Sequence, residues 1–338
     1  MSKVVLGLSG GVDSALAAQL LKATGHEVYG VFLDIGITPP EEARTVAEQL
    51  GIAFEAIDIR DELEAKVCKP FAEAYLGGRT PNPCVMCNPT VKFPALIRAA
   101  DRIGAEYIAT GHYARVERDE QSGRYRLVRA DSSKDQSYML CGLSQDILSR
   151  VIFPLGALEK ETVRQMAEEA GISVAHKSDS MEICFIPDND HGKYIQSRGY
   201  ESREGNFVDE EGKVLGRHKG IVHYTVGQRR GLGVAAGRRI FVSRIDTEKN
   251  EIVLSDLDKM FIKEIRAENV NWVSMAAAEE AFRADVKVRY SKVSYPATLV
   301  PKAGGVDIIF DEEIKAPSAG QAAVFYNGDV LLGGGTIM

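Results

Sequence analysis

The chain has no long hydrophobic run and no recognisable export signal. Nowhere in its 338 residues does a stretch approach the roughly 18 apolar residues that a membrane-spanning helix needs. The N-terminal segment 1–6 lacks a small-residue cleavage site before the glycines of 7–11, so it is predicted to form a first β-strand and not a signal peptide. We therefore expect a cytoplasmic protein with no membrane partner.

Cysteine is also scarce, and the chain carries no net positive charge. Five cysteines, an odd number in a chain of this length, disfavour a disulfide framework and favour metal or thiol chemistry. A formal net charge of -7 provides no general attraction to nucleic acid, so any RNA contact must use local basic patches. Hydrophobic content of 45% and charged content of 26% are ordinary for a globular protein, and the length predicts two or three domains.

The first half of the chain alternates short apolar runs with amphipathic segments. Val4–Leu8 is followed by a glycine turn and by a helical stripe that begins at Val12. A second helix is predicted to start with a capping box at Thr38–Glu41, with Pro39 in its first position, and to end at Gly51. Further strands are predicted at 27–33, 54–59 and 107–110. This alternation is typical of an α/β fold with a parallel sheet covered by helices on both faces.

Beyond about Gly199 the pattern changes to short, evenly spaced strands with glycine, proline and asparagine between them. The predicted strands lie within 207–215, 240–245, 251–255, 285–290, 297–300, 306–310, 322–326 and 330–332. They indicate a small β-rich domain followed by a C-terminal β-barrel. The expected division is an α/β domain at 1–200, a small central β-rich domain at 201–265 and the barrel at 266–338.

A loop rich in glycine and serine, Ser9–Ser14, connects the first strand to the first helix. Its glycines permit a tight turn whose N–H groups face an anion, and the helix N-terminus adds positive potential. The serine hydroxyls can donate hydrogen bonds to phosphate oxygens, and Asp13 can help to hold Mg²⁺. The loop is neither a Walker A motif nor the Gly-x-Gly-x-x-Gly dinucleotide motif. It instead resembles the PP-loop of ATP pyrophosphatases, which grips pyrophosphate as the α-phosphate is transferred.

A proline-rich loop carries a Cys-x-x-Cys pair, Cys84 and Cys87. Two prolines fix its backbone and Asn82 can anchor a turn, so the loop presents its thiols in defined positions. Cys184 supplies a third candidate thiol. The other two cysteines lie on apolar helical patterns and are predicted to be small core residues: Cys68 and Cys141.

The order of the motifs along the chain resembles the bacterial tRNA-specific 2-thiouridylases. The matching segments are 7–14, 78–88, 111–113, 131–137, 183–185 and 227–233. This family replaces the C2 oxygen of the wobble uridine in certain tRNAs with sulfur. The resemblance implies an adenine-nucleotide α-hydrolase-like PP-loop domain, with ATP and Mg²⁺ as cofactors and tRNA as the substrate. It also implies a sulfur donor, which is either a protein or sulfide.

The resemblance also assigns roles to individual residues. ATP would be contacted by Gly7, Leu8, Ser9, Gly10, Gly11, Val12, Asp13, Ser14, Leu33 and Gly111. Cys87 would be the nucleophile, Cys184 would carry a persulfide, and the flipped target base would lie among Asn82, Pro83 and Cys84. Transfer RNA would be contacted by His112, Lys134, Asp135, Gln136, Arg289, Tyr290 and Gln321.

The implied chemistry makes a poor leaving group into a good one. Adenylation would convert the C2 oxygen of the base into part of AMP, which a thiolate or a persulfide can then displace. Mg²⁺ and backbone donors would stabilise charge on the departing pyrophosphate. The sulfur nucleophile would need a depressed pKa, which nearby cations or a helix N-terminus could provide.

One position departs from the family pattern, because Cys84 stands where an aspartate is common. Cys84, Cys87 and Cys184 resemble instead the three ligands of a [4Fe–4S] cluster in related tRNA thiolases, where the open iron could bind sulfide. A zinc site is a competing interpretation that lacks an obvious fourth ligand. A redox disulfide and a persulfide relay are two further interpretations that the sequence leaves open.

Basic pairs cluster in the central region, at Arg217–Lys219, Arg229–Arg230 and Arg238–Arg239. They suit contacts with RNA phosphates, which position RNA without reading its sequence, and they equally suit ordinary solvated surface. Two other functions compete with tRNA thiolation. One is a PP-loop synthetase that adenylates another acceptor for amidation or lysidine-type ligation, and the other is a non-catalytic, metal-stabilised RNA-binding protein.

Overall fold

A parallel sheet with helices on both faces forms the N-terminal part of the computed structural model, which describes residues 2–177, 183–235 and 237–338. The first elements are β1 (Lys3–Gly7), α1 (Val12–Ala23), β2 (Glu27–Asp34), α2 (Glu41–Leu50) and β3 (Ala53–Asp58). The next are α3 (Arg60–Leu63), α4 (Lys69–Leu76), α5 (Pro83–Cys87), α6 (Phe93–Ile103) and β4 (Tyr107–Ala109). The last are β5 (Ala114–Arg118), β6 (Tyr125–Arg129), α7 (Gln145–Leu148), β7 (Val151–Ile152), α8 (Lys160–Glu169) and α9 (His191–Ser197).

The strands of this sheet run in the order β3-β2-β1-β4-β7, and every pair is parallel. Successive residues of β1 point to opposite faces, and both faces are buried. Val4 and Leu6 pack into the hydrophobic cluster that includes α1 and α2, whereas Val5 packs into the cluster that includes α6. The predicted α/β fold class is therefore confirmed.

The predicted start of α2 is wrong by two residues. The helix begins at Glu41 after Pro40, and no side chain caps it. Pro39 precedes another proline, and a residue before proline is driven away from the helical conformation by steric clash. Thr38 therefore lies too far from the first helical N–H groups to cap them. The predicted end is confirmed, because Gly51 adopts the left-handed conformation with φ 60°.

Each of two long helices contains one π-helical turn. Residues Glu64–Cys68 join α3 to α4, and residues Asn88–Lys92 join α5 to α6. Such turns are rare and occur frequently at functional sites. The second of them directly follows the Cys-x-x-Cys pair.

A separate four-stranded sheet follows, made of β8 (Gly205–Val208), β9 (Val214–His218), β10 (Ile240–Asp246) and β11 (Glu251–Asp256). Its strand order is β10-β11-β8-β9, and both predicted hairpins, β8–β9 and β10–β11, are antiparallel pairs. Phe207, Val242 and Ile252 face the same hydrophobic cluster as helix α4. The small sheet therefore packs against the helices that flank the cysteine loop.

The C-terminal strands close into a six-stranded antiparallel barrel. They are β12 (Phe261–Trp272), β13 (Phe282–Lys287), β14 (Tyr295–Lys302), β15 (Gly305–Lys315), β16 (Ala322–Asn327) and β17 (Val330–Ile337). The predicted barrel is confirmed, and it closes because β12 pairs with both β15 and β17. Strand β12 was not expected from the sequence, since its many charged and polar residues conceal the few that are buried.

A hairpin from the N-terminal part extends the barrel sheet. Strand β6 pairs with β17, with Leu127 opposite Leu331. Side-chain hydrogen bonds also connect the N-terminal part to the barrel. The Gln145 side chain donates to the carbonyl of Val273 at 2.8 Å, and the Asn271 side-chain amide donates to the carbonyl of Cys141 at 2.9 Å. The barrel is therefore fixed to the α/β layer by a shared sheet and by buried hydrogen bonds.

None of the helices in the described part of the chain combines the length and the apolar character that a membrane crossing requires.

We predict that Phe71→Ala lowers the free energy of unfolding by about 3–5 kcal/mol, because it empties a fully buried site. The Phe71 ring lies 5.0 Å from the ring of Tyr75 and 5.5 Å from that of Phe185, the residue after Cys184. Denaturant titration measures the change. The control is Ile37→Ala at a 45% exposed position, with an expected change within about 0.5 kcal/mol. Equal losses in the two variants would contradict the prediction.

Candidate active site

The loop between β1 and α1 is held in shape by the hydroxyl of Ser14. Its Oγ accepts a hydrogen bond from the N–H of Ser9 at 3.2 Å, lies 3.1 Å from the Ser9 Oγ, and donates to the carbonyl of Gly11 at 3.0 Å. Gly10 has a φ of 75°, and a Cβ there would lie 3.2 Å from the backbone nitrogen of Ala43. The first N–H groups of α1 have no acceptor within the helix, so the loop is built to receive an anion.

Asp13, in the first turn of α1, is held by two donors from distant parts of the chain. Its Oδ1 accepts a hydrogen bond from the hydroxyl of Tyr113 at 2.8 Å and from the Nζ of Lys160 at 2.6 Å. Lys160 is the first residue of α8 and is only 4% exposed. Because Oδ1 already has two donors, Oδ2 is the oxygen left for a cation. Sequence reasoning missed Lys160, since nothing in the sequence links two residues 147 positions apart.

The other predicted ATP contacts lie at the same carboxyl edge of the sheet. A Cβ on Gly111 would lie 2.9 Å from the carbonyl carbon of Asp13 and from the nitrogen of Ser14, so only glycine allows this approach. Leu33 stands at the carboxyl end of β2, the strand that pairs with β1. Ligands of open α/β sheets bind outside the carboxyl ends of the strands, and the arrangement suits a nucleotide there.

The three candidate thiols lie near one another, beside α5 and Lys92. Asn82 caps α5, as its predicted turn role requires, and its Oδ1 accepts from the N–H groups of Cys84 at 3.1 Å and of Val85 at 3.2 Å. Cys84 is exposed and Cys87 is partly buried. The charges of Cys84, Cys87 and Lys92 all influence the thiol of Cys184, so the chain brings the three thiols into electrostatic range.

The expected depression of the thiol pKa is wrong for this structure. Burial raises the pKa of Cys87, and the charge of Lys92 opposes that rise only in part. Desolvation by neighbouring protein atoms raises the pKa of Cys184 to about 11, again against the effect of Lys92. Both thiols are therefore mostly protonated at neutral pH.

The thiols do not form a metal site in this arrangement. Over residues 2–177, 183–235 and 237–338, no three histidine, cysteine or acidic side chains are placed to hold a metal ion. Cys84, Cys87 and Cys184 therefore do not fit a [4Fe–4S] cluster or a zinc ion in this conformation. All five cysteines are free thiols, and the predicted burial of Cys68 and Cys141 is confirmed.

His112 lies between the nucleotide loop and the thiols. It follows Gly111, its Nδ1 is 2.7 Å from the Oγ1 of Thr110, and its ring stacks on that of Phe93 at 6.0 Å. Burial, with a smaller contribution from Lys92, holds the pKa of His112 well below its ordinary value. The imidazole is therefore neutral at pH 7 and can only recognise a partner by hydrogen bonding or stacking.

Three of the predicted tRNA contacts have protein partners. The Oδ1 of Asp135 accepts from the N–H groups of Ala130 and Ser137, and its Oδ2 lies 3.6 Å from the Nζ of Lys287. Gln136 accepts from the N–H of Tyr113 at 3.0 Å through its side chain. Gln321 donates from its side chain to the carbonyl of Thr80, in the cysteine loop, at 2.8 Å. Asp135, Gln136 and Gln321 therefore each hold a neighbouring loop through hydrogen bonds to its backbone.

The remaining predicted RNA contacts present more surface. Tyr290 is 46% exposed, and its ring lies 6.1 Å from that of Tyr138. Desolvation raises the pKa of its hydroxyl, and the charges of Asp135 and Cys84 add to the rise. Arg289 is exposed, whereas Lys134 is only partly so. Tyr290 therefore lies within electrostatic range of Cys84, on the barrel side.

The basic pairs of the central region differ in what surrounds them. His218 is a core residue, 1% exposed, whose Nδ1 accepts from the N–H of Gly220 at 3.1 Å. Arg229, Arg238 and Arg239 instead line an open cavity of about 540 Å³ between glycine-bounded loops. Arg238 is paired with Asp256 at 2.9 Å. Three arginines therefore line this cavity.

We predict that Lys92→Met slows alkylation of Cys87 and Cys184 by iodoacetamide at pH 8 by about threefold or more. Loss of the positive charge removes the effect that lowers both pKa values, so each thiol loses thiolate. Peptide mass spectrometry across a pH series measures the rates. The matched control is Lys259→Met, which removes an exposed lysine paired with Glu210. Wild-type rates in Lys92→Met would show that this lysine does not tune the thiols.

Family models match three consecutive parts of the chain. They are described as a tRNA methyl transferase HUP domain for residues 2–188, a tRNA methyl transferase PRC-barrel domain for 192–256 and an aminomethyltransferase beta-barrel domain for 262–337. The first of these alone covers more than half of the chain.

Curated relatives match from end to end. The tRNA-specific 2-thiouridylase MnmA of Clostridium botulinum strain Alaska E43 is 44% identical over 353 residues, covering 99% of this chain and 97% of its own. MnmA 2 of strain Loch Maree is 45% identical, covering 100% and 99%. MnmA of Clostridioides difficile strain 630 is 42% identical, covering 99% and 98%. On this identity and coverage, the chain belongs to the tRNA-specific 2-thiouridylase family.

Proposed function

We propose that this chain is an ATP-dependent tRNA-uridine 2-sulfurtransferase that splits ATP into AMP and pyrophosphate. The observation that carries the proposal is that the charge of Lys92 reaches two groups of residues: the thiols, and His112, which follows Gly111 of the nucleotide site. The anion-binding loop 9–14 and Gly111 form the nucleotide site, and Cys84, Cys87 and Cys184 form the thiol group. The family membership supports tRNA as the substrate, with the wobble uridine as the target base.

The first step would activate the base. The C2 oxygen of the uridine attacks the α-phosphorus of ATP, a P–O bond forms, and pyrophosphate leaves. The N–H groups of the loop and of the first turn of α1 would hold the two outer phosphates, and Ser9 can donate to them. Asp13 would help to hold Mg²⁺, which would neutralise charge on the phosphates when bound.

The second step would replace the activated oxygen with sulfur. The terminal sulfur of a persulfide on Cys184 attacks C2, and AMP leaves with the original oxygen. The thiolate of Cys87 then attacks the Cys184 sulfur, which releases 2-thiouridine and forms a Cys87–Cys184 disulfide. A thiol reductant restores both cysteines. Because desolvation raises the pKa of both thiols, tRNA binding or Lys92 must promote their ionisation.

The source of the sulfur is proposed to be a protein persulfide, which passes its outer sulfur to the exposed Cys184 thiol and is itself left as a thiol. Sulfide would serve by attacking the Cys87–Cys184 disulfide at Cys184, which gives the Cys184 persulfide and the Cys87 thiolate without a separate oxidant. No step is assigned to an iron–sulfur cluster, because the described thiols do not fit one. Amidation or lysine ligation is not favoured, since neither reaction needs thiols beside the nucleotide.

We also propose that the chain works as three domains, 1–200, 201–265 and 266–338. The three separate sheets support that division, with the β5–β6 hairpin linking the first to the third.

We predict that Cys87→Ser abolishes 2-thiouridine formation but leaves tRNA-dependent release of pyrophosphate. Serine removes the sulfur with little change of volume, so adenylation remains possible. Nucleoside analysis of the tRNA and a pyrophosphate assay measure the two steps separately. Cys141→Ala, at a buried position outside the thiol group, is the control and should thiolate normally. Thiolation by Cys87→Ser at the wild-type rate would defeat the assignment of Cys87.

We predict that the double variant Arg229→Ala/Arg239→Ala weakens tRNA binding and lowers the salt dependence of the binding constant. Each lost phosphate contact reduces the slope of log K against log salt by about 0.7–0.9, so a decrease of roughly 1–2 is expected. Filter binding over a salt series provides the slope. Arg203→Ala, at an exposed arginine paired with Glu201, should leave the slope unchanged. An unaltered slope in the double variant would remove the cavity from the RNA-binding surface.

A further inference from the structure

The phosphate loop contains no positively charged residue of its own. Between Ser9 and Ser14 the only charged side chain is Asp13. A nucleotide triphosphate carries several negative charges, and a bare carboxylate at the mouth of its site would repel it. Loops of the Walker type solve this problem with a lysine inside the loop. Here a compensating cation must come from elsewhere in the chain.

Lys160 occupies the position that such a cation requires. Its Nζ is 2.6 Å from Asp13 Oδ1, and its side chain is 5% exposed, against 34% for that of Asp13. Lys160 begins α8, and α8 packs against α1, so the lysine and the aspartate lie in the first turns of two contacting helices. The ammonium group is thus buried behind the carboxylate, on the side away from solvent.

Glu159 and Tyr113 are neighbours of the Lys160–Asp13 pair with hydrogen bonds of their own. The neighbouring acid Glu159 accepts hydrogen bonds from the Ser132 hydroxyl at 3.2 Å and from the Ser133 N–H at 3.1 Å. The hydroxyl of Tyr113 reaches the same Asp13 oxygen as Lys160, and the ammonium lies 5.8 Å from the centre of the Tyr113 ring. Two donors from different parts of the chain therefore fix the Asp13 carboxylate through its Oδ1.

We propose that Lys160 is a positioning residue for ATP binding, which neutralises and orients Asp13 so that the loop accepts a triphosphate. This inference rests on the proposed function and adds to it the source of the positive charge. Its mode of action is specific: Lys160 acts through the charge of Asp13. Removing the lysine alone leaves an uncompensated carboxylate facing the phosphates, whereas removing both charges does not.

The test is a pair of variants and their combination. Lys160→Met, Asp13→Asn and the double variant are titrated with the Mg²⁺ complex of α,β-methylene-ATP, which cannot be cleaved between its α- and β-phosphates. Lys160→Met is expected to bind about tenfold or more weakly than the wild type, the size of effect typical of a coupled charge pair. The double variant is expected to bind as well as Asp13→Asn alone. Tyr113→Phe, which removes only one hydroxyl, should lose about two- to fivefold.

Several outcomes would overturn the inference. Wild-type affinity in Lys160→Met would do so, and so would a double variant that binds as weakly as Lys160→Met. Circular dichroism checks folding, and Lys259→Met serves as the control for loss of a lysine. If Lys160→Met does not fold, the analogue affinities of the double variant and of Asp13→Asn are compared instead. Weaker binding by the double variant than by Asp13→Asn would then contradict the proposed role of Lys160. A wild-type protein that binds the analogue but never forms AMP with tRNA would defeat the proposed function and leave this inference standing.

Discussion

The candidate site depends on the closure of the loop between β1 and α1 around the Ser14 hydroxyl. That one oxygen accepts from the Ser9 N–H and donates to the Gly11 carbonyl, and so fixes the backbone at both ends of the turn. Gly10 and Gly111 then allow two other segments to approach within van der Waals contact. Without this closure, the N–H groups at the start of α1 would not converge on one anion.

The rest of the molecule is organised around that edge of the sheet. Lys160 and Tyr113 both donate hydrogen bonds to Asp13. The loop that contains Asp135 and Gln136 supports Tyr113, because the Gln136 side chain accepts a hydrogen bond from the Tyr113 N–H. The barrel supports the same loop through Lys287, whose pKa is lowered by burial. It also holds the cysteine loop through Thr80, whose N–H donates to the Ala319 carbonyl at 2.8 Å. The barrel is thus connected to both halves of the site.

The fold class and the order of the sheets could be predicted from the sequence because local patterns carry them. The alternating burial of β1, the left-handed glycine that ends α2 and the hairpins of the small sheet each depend on a few consecutive residues. The charged strand β12 and the β5–β6 hairpin on the barrel could not be predicted in this way. Their identity depends on partners far along the chain, such as β17.

The site shows the same division between local and distant information. The phosphate loop and the Asn82 cap of the cysteine helix are local motifs, and the sequence indicates both. The Lys160–Asp13 pair is formed only by folding, and so is the desolvation by neighbouring atoms that raises the pKa of Cys87 and Cys184. Cations or a helix N-terminus near a thiol lower its pKa, and desolvation raises it. A sequence does not reveal the extent of desolvation, so it does not reveal which of the two effects is larger.

The central claim is that ATP is cleaved between its α- and β-phosphates so that the base oxygen leaves as part of AMP. The most direct test uses tRNA labelled with oxygen-18 at C2 of the target uridine, followed by mass analysis of the nucleotide products. The account predicts that AMP carries the label and that pyrophosphate does not. Formation of ADP and phosphate, or of unlabelled AMP alongside 2-thiouridine, would contradict it.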